Sequence, residues 1–213
     1  MAVWLDTVFY SFDKFFINGT AGLVNGFFNA IFLALSVIFE KGILIILTSL
    51  ILILFKKTRK VGGAMLLALL IGALITNVTL KDLVKRERPF TKEEYLPLWH
   101  LAGAVLEGEY SFPSGHATSV MAASTALFII CNKKWSFVGF ILTFIIAVDR
   151  VYLVVHYPTD VIAGLIVGGI AGIISCYVVN FLYNLADKGE SKFLNWCVNF
   201  DVSNIFNKGE GNK

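Results

Sequence analysis

Long apolar segments separated by short polar links make up most of this 213-residue chain. About 20 consecutive apolar residues are enough for a helix to cross a lipid bilayer. Hydrophobic residues account for 57% of the sequence and charged residues for only 15%, which is far less charge than a soluble domain of this size carries. The chain is therefore predicted to be an all-α integral membrane protein, a bundle of six transmembrane helices.

The six predicted spans cover residues 21–39, 41–55, 61–80, 115–131, 135–149 and 159–185. Glu40 and Lys41 are expected to form a tight helical hairpin between the first two spans. Because the chain length suits one compact bundle, residues 1–213 are predicted to form a single membrane domain.

Three segments lie outside the predicted spans. Residues 1–20 are expected to form an interfacial segment, with Leu5 and several aromatic residues on one helical face and Asp6, Asp13 and Lys14 facing water. Residues 186–213 are expected to form a cytoplasmic tail that includes a second interfacial stretch. For the 90–112 loop two interpretations remain open, a lid beside a functional site or a solvated hairpin resting on the bilayer.

Charge distribution predicts the orientation. The basic loop at residues 56–60 is expected to face the cytoplasm, because positive loops stay on that side. Six crossings would then place both termini in the cytoplasm and bring the ends of spans 3 and 5 and the start of span 4 together at the outer face. The net charge of +3 is small and scattered, which argues against nucleic acid as a partner.

Three polar clusters lie where that outer face is expected. They read Lys81-x6-Arg88-Pro89, then Pro113-Ser114-Gly115-His116, then Arg150-x5-His156-x3-Asp160. Phosphoryl transfer needs cations and hydrogen-bond donors around three oxygens, an in-line nucleophile and an acid for the leaving oxygen. The clusters contain candidates for each of these parts.

Lys81 and Arg88 are seven residues apart, close to two helical turns, so they share a face and can grip one phosphate if the third helix continues through them. The alternative is a membrane-surface anchor that binds lipid head groups. That interpretation is preferred for Lys85 and Arg86, which lie outside the pattern.

Ser114 is predicted to cap the fourth helix, where free backbone amides suit an anion. Gly115 would let the backbone approach a phosphate closely, and His116 can protonate a leaving oxygen. In the third cluster, His156 and Asp160 are four residues apart, so the carboxylate can fix the imidazole tautomer. Read alone, Ser114 would be an ordinary helix start, and Asp160 a helix-dipole carboxylate with Arg150 as its surface partner.

Taken together, the three clusters resemble the signature of the type 2 phosphatidic acid phosphatase family over residues 81–160. The resemblance implies that family's membrane bundle and a lipid phosphate phosphatase activity. It implies that His156 attacks phosphorus to form a phosphohistidine, that Asp160 orients it, and that His116 serves as acid and then base. The groups that hold the phosphoryl group would be Lys81, Arg88, Ser114, Gly115 and Arg150. No set of acidic, His or Cys ligands suggests a catalytic metal, and no cofactor is expected.

Two positions depart from the family pattern. Asp149 stands where Ser is common and is expected to pair with a neighbouring base, while Val154 stands where Gly is frequent. Small bacterial members are similar to phosphatases of undecaprenyl diphosphate, phosphatidylglycerophosphate or phosphatidic acid. The first is favoured by analogy, since an outward-facing site suits the recycling of a cell-wall carrier lipid.

Two functions outside lipid phosphatases compete with this reading. In an anion transporter or channel the same charges would line a path, but such a path does not require a helix-capping Pro-Ser-Gly-His or a His-x3-Asp pair. A vanadium haloperoxidase is disfavoured by the small size and six spans. The remaining motif, Gly164, Gly168 and Gly172, predicts close helix packing, either within the chain or in a homodimer.

Overall fold

The computed structural model describes residues 1–104, 106–131, 133–189 and 191–202, and every regular element in these ranges is helical. The α-helices are α1 (Ala2–Val8), α2 (Tyr10–Ala21), α3 (Gly26–Ile38), α4 (Ile43–Leu54), α5 (Arg59–Ala73), α6 (Lys81–Val84), α7 (Leu96–Ala102), α8 (Gly115–Ile130), α9 (Lys133–Ser136), α10 (Val138–Tyr152), α11 (Pro158–Asp187) and α12 (Lys192–Asn199). Short 3-10 turns cover Glu40–Gly42 and Pro89–Thr91, and a π-helical stretch, Leu74–Leu80, joins α5 to α6. The all-α prediction is confirmed.

Four helical stretches within the described residues are long and apolar enough to cross a membrane. They are Gly26–Leu54, Arg59–Thr91, Lys134–Tyr152 and Pro158–Asp187, and α8 is a shorter apolar helix. The last three stretches and α8 correspond to predicted spans 3 to 6. The first two predicted spans fall in one bent stretch, so the count of six crossings is not confirmed.

The prediction of a tight hairpin between the first two spans is wrong, because the chain only bends at this point. Lys41 and Gly42 have φ angles of 51° and 69°, a left-handed conformation that interrupts the helix. Beyond the bend α4 packs against α5, whereas α3 packs against α10. Both ends of α3 stay near one end of the bundle: Asn29 accepts a hydrogen bond from Tyr152 at the end of α10, and Gly42 lies beside Ser119 near the start of α8.

The two described chain ends lie at opposite ends of the bundle. Asp13 in α2 accepts a 3.0 Å hydrogen bond from the backbone amide of Thr159, where α11 begins. Arg59, where α5 begins, donates to the carbonyls of Cys197 and Val198 in α12. This placement differs from the arrangement that six crossings would give, in which both ends share one side, because α3 does not form half of a crossing hairpin. Residues 203–213 of the predicted tail lie outside the described residues.

Helix α8 lies at the centre and packs against α5, α10 and α11. Gly164, Gly168 and Gly172 face it from α11. A Cβ atom added at Gly168 would come within 2.4 Å of the Thr118 carbonyl oxygen. The glycine stripe therefore serves packing within the chain, and it fixes the start of α11 beside the start of α8.

We expect Gly168→Ala to lower the thermal unfolding temperature of the detergent-purified protein, because the added methyl group overlaps backbone that cannot move aside. Overpacking of this kind costs about 1–3 kcal/mol. Gly169→Ala is the matched control, since the nearest atom to its added methyl group is the Met121 methyl carbon, at an ordinary 3.6 Å. Equal unfolding temperatures for the two variants would contradict the packing described.

Candidate active site

A cavity of about 1230 Å³ opens at the end of the bundle where α8 begins. Its polar part is lined by residues from all three sequence clusters, among them Lys81, Arg88, Gly115, His116 and His156. Apolar side chains of α3 and α5 line the rest, among them Leu33, Val37, Leu66, Leu67, Leu70 and Ala73. The cavity thus joins a cluster of charged groups to an apolar groove.

Lys81 and Arg88 reach this cavity from different local structures. The helix through Lys81 ends at Val84, because Lys85 takes a left-handed φ of 53°, so the third helix does not continue through both cations. Arg88 is extended and is fixed by hydrogen bonds from Nε to the Glu109 carbonyl (2.7 Å) and from Nη1 to the Val155 carbonyl (2.9 Å). Tertiary contacts, and not helical periodicity, bring the two cations together.

Ser114 is the N-cap of α8, as predicted, and its hydroxyl accepts a 3.4 Å hydrogen bond from the Ala117 amide. Its own amide donates to the Asp160 carbonyl at 3.0 Å, which ties the starts of α8 and α11 together. In the first turn of α8, His116 Nδ1 lies 3.5 Å from Arg150 Nη1. Within the described residues the other ring nitrogen, Nε2, is buried without a hydrogen-bond partner.

Arg150 lies at the end of α10 and is completely buried. Asp149 Oδ2 accepts hydrogen bonds from its Nε, at 2.7 Å, and from its Nη2, so the expected pairing of Asp149 with a neighbouring base is confirmed. The remaining nitrogen, Nη1, faces His116 and lies 3.3 Å from a carboxylate oxygen of Glu107. Asp149 therefore holds one edge of the guanidinium and leaves the other edge at the site.

His156 lies in the turn between α10 and α11. Its Nε2 is 3.4 Å from Arg88 Nη1, and its Nδ1 is 3.7 Å from Asp160 Oδ2, somewhat beyond hydrogen-bond distance. The same Oδ2 accepts a 2.9 Å hydrogen bond from the Tyr157 amide, as part of the capping box of α11. The carboxylate thus lies on the Nδ1 side of the ring, and Nε2 faces Arg88.

Val154 turns the chain towards His156 with a φ of 57°. This left-handed conformation is unfavourable for a β-branched residue and costs of the order of 1–3 kcal/mol. Glycine adopts the conformation freely, which gives a physical reason for the glycine that is frequent here in the resembling family.

Two acidic residues of the 90–112 loop were not assigned a role from the sequence. Glu107 Oε2 is 2.6 Å from Arg88 Nη2, and Glu109 forms an ion pair with Lys81. Hydrogen bonding to Lys81 and its positive charge lower the pKa of the Glu109 carboxyl below its usual value. The loop therefore flanks the site and places two carboxylates among the cations of the first and third clusters.

The structure contradicts the prediction that Arg86 binds lipid head groups. Its side chain is only 1% exposed and donates to carboxylates of Asp6, Asp13 and Asp160. Asp13 is likewise buried, although the amphipathic pattern placed it in water. Lys85, beside Arg86, is exposed. The sequence contains no signal that distinguishes Arg86 from Lys85, because the partners of Arg86 are distant in sequence.

The arrangement brings Lys81, Arg88 and Arg150 to two imidazoles at a helix N-terminus. Such a set can bind a tetrahedral oxyanion, supply a nitrogen nucleophile and move a proton. The site residues predicted from the three motifs are therefore neighbours in space, including Ser114, which acts through the start of α8.

Two known proteins are similar to this chain in sequence. The chain is 34% identical to an undecaprenyl-diphosphatase of Sulfolobus acidocaldarius over 119 residues, which are 55% of this chain and 55% of that protein. It is 34% identical to a lipid A 4'-phosphatase of Bacteroides thetaiotaomicron over 110 residues, 50% of this chain and 48% of that protein. The alignments thus span about half the length of these relatives.

The fold is also that of a solved membrane protein. The crystal structure of a transmembrane PAP2-type phosphatidylglycerolphosphate phosphatase from Bacillus subtilis matches with a TM-score of 0.67 and 21% sequence identity, covering 90% of this chain and 92% of that one. The sequence model of the PAP2 superfamily matches residues 62–183, which contain all three polar clusters. This protein therefore belongs to the PAP2 superfamily.

Proposed function

We propose that the protein is a metal-independent lipid phosphatase that removes the terminal phosphate of a lipid phosphate or diphosphate, with undecaprenyl diphosphate as the favoured substrate. The observation that carries the proposal is the position of Arg88, which lies 3.4 Å from His156 Nε2, with Lys81 lining the same cavity and Arg150 joined to Arg88 through Glu107. Membership of the PAP2 superfamily and the phosphatase names of its relatives support it.

Binding begins with an exchange of anions. Glu107 and Glu109 pair with the cations that would hold the phosphoryl oxygens. An entering phosphate offers the cations the same type of partner, so the loop carboxylates move aside without leaving buried charge uncompensated. Ser114 and Gly115, at the start of α8, add a helix N-terminus to the cradle.

The chemical steps follow from the two imidazoles. His156 Nε2 attacks phosphorus while the bond to the leaving lipid oxygen breaks, and that oxygen receives a proton from His116. A phosphohistidine results. Water then attacks the phosphorus, gives a proton to His116, and breaks the phosphorus–nitrogen bond. Phosphate leaves, and both histidines regain their starting state. Asp160 stabilises the positive charge that His156 carries in between.

The apolar groove suits the lipid part of the substrate. It runs from the cations along α5, where Leu66, Leu70 and Ala73 line it beside residues of α3. A chain in this groove would keep the ester oxygen at the charged end of the cavity. Relatives are named for undecaprenyl diphosphate and for lipid A, which supports a lipid as the substrate.

Orientation supports the undecaprenyl substrate. We propose that the basic loop at residues 56–60 is cytoplasmic, since it connects α4 and α5 at the end opposite the charged part of the cavity. The cavity and the N-terminal helices then face the outer side, where a spent carrier lipid would present its diphosphate. Phosphatidylglycerophosphate and phosphatidic acid remain the alternative substrates, and anion transport is the non-enzymatic one.

Phosphate release tests the proposal. The detergent-purified protein is expected to release phosphate from undecaprenyl diphosphate in EDTA, faster than from phosphatidylglycerophosphate or phosphatidic acid. His156→Ala is expected to lower the rate by roughly 10³-fold or more, since it removes the nucleophile. His100→Ala is the matched control, because that histidine is exposed in α7. A folded wild-type protein that releases phosphate from none of these lipids would favour anion transport.

Inhibition by inorganic phosphate tests the exchange of anions. We expect Glu109→Gln to lower the inhibition constant of phosphate several-fold at neutral pH, because the product then no longer competes with an ionised carboxylate for Lys81. Glu93→Gln, an exposed change in the same loop, is expected to leave the constant unaltered. Weaker inhibition of Glu109→Gln would show that the carboxylate supports the bound anion instead of competing with it.

Chain-length dependence tests the groove. Ala73→Trp fills a position that lines the cavity, whereas Leu74→Trp places the same ring one residue further on, outside the lining. The first variant is expected to lose activity on a long-chain lipid phosphate and to retain it on a short water-soluble phosphomonoester. The second should behave as wild type on both. Parallel losses on both substrates for Ala73→Trp would argue against a lipid chain in the groove.

A further inference from the structure

Arg86 is a buried cation that the proposed chemistry does not use. It lies outside the cavity, and its guanidinium stacks on the Tyr157 ring with 3.8 Å from the central carbon to the ring centre. Nη1 donates to Asp160 Oδ1 at 2.6 Å and to the Thr159 hydroxyl at 2.8 Å. These contacts place Arg86 directly behind the carboxylate that faces His156.

Asp160 is held on both of its oxygens. Oδ1 accepts from Arg86, and Oδ2 accepts from the Tyr157 amide while lying 3.7 Å from His156 Nδ1. Two directional hydrogen bonds leave the carboxylate plane little freedom to rotate. Asp160 is also completely buried, so its negative charge needs a nearby cation, and Arg86 supplies one within hydrogen-bond distance.

The N-terminal helices hold Arg86 from the other side. Nε donates to Asp6 in α1 at 2.8 Å, and Nη2 donates to Asp13 in α2 at 2.8 Å. Asp13 also accepts from the amide and the hydroxyl of Thr159. Both aspartates therefore orient the guanidinium, and Asp13 ties α2 directly to the first turn of α11.

We propose that Arg86 is a positioning residue for the nucleophile: it fixes Asp160, which keeps the proton of neutral His156 on Nδ1 and leaves Nε2 free for attack. The inference rests on the proposed function for its effect on rate. Through Asp6 and Asp13 it makes the two N-terminal helices part of the catalytic assembly, although neither aspartate lines the cavity.

Histidine tautomers test the inference without any lipid turnover. The chain has 3 histidines, so ¹⁵N-histidine NMR of the full-length protein in detergent is tractable, with His156→Ala assigning the signal. In the wild type, neutral His156 is expected to carry its proton on Nδ1. Arg86→Gln is expected to give a mixture of tautomers. Lys85→Gln, an exposed change at the preceding residue, should leave the wild-type signal. An unchanged His156 tautomer in folded Arg86→Gln overturns the inference.

A double-mutant cycle tests the effect on rate. Arg86→Gln is expected to lower kcat for the best lipid substrate by about 10-fold or more while KM and phosphate inhibition stay within about twofold, because the cation cradle is intact. In an Asp160→Asn background the same change should add little, since both residues act through one contact. Losses that multiply would show that Arg86 acts by another route.

Two further comparisons distinguish a failure of this inference from a misfolded variant and from a failure of the proposed function. Should Arg86→Gln fail to fold, Arg86→Lys takes its place in both experiments, since lysine keeps the charge but cannot reach all three carboxylates; an unchanged tautomer and kcat in that variant overturn the inference. A wild-type protein without phosphatase activity overturns the proposed function alone, because the NMR result still decides whether Arg86 sets the tautomer of His156.

Discussion

Burial of positive charge inside an apolar bundle is the constraint on which the rest of this structure depends. Lys81, Arg86, Arg88 and Arg150 are each less than a tenth exposed. An unpaired buried cation is strongly unfavourable, so each requires an anion nearby. The chain supplies these anions from the N-terminal helices, from the 90–112 loop, and from the end of α10 and the start of α11, and in doing so it fixes the arrangement of the site.

Two pairs of these anions have different consequences. Asp13 and Asp160 are buried around Arg86, a fixed internal network that sets the relative position of α2 and α11. Glu107 and Glu109 belong to a loop that borders the cavity, and they pair with cations that a phosphate can also reach. The first group is suited to hold geometry, and the second is suited to exchange with a substrate.

The sequence predicted the parts of the fold that depend on local chemistry. The cap at Ser114 and the apolar helices of predicted spans 3 to 6 follow from residue type and order, and the structure has each of them. The prediction of a hairpin at Lys41 was wrong because a lysine in the left-handed conformation has no sequence signature. The role of Arg86 was missed because its partners, Asp6 and Asp13, are brought to it only by tertiary packing.

If the three clusters form one phosphoryl-transfer site, His156 is the nucleophile that carries the phosphoryl group. The most direct test is rapid quenching of the protein with a lipid substrate labelled with ³²P in its terminal phosphate, followed by alkaline workup and peptide mapping. We expect an acid-labile, base-stable label on the peptide that contains His156. Steady release of phosphate with no label on any peptide, or with the label on His116 or Ser114, would contradict it.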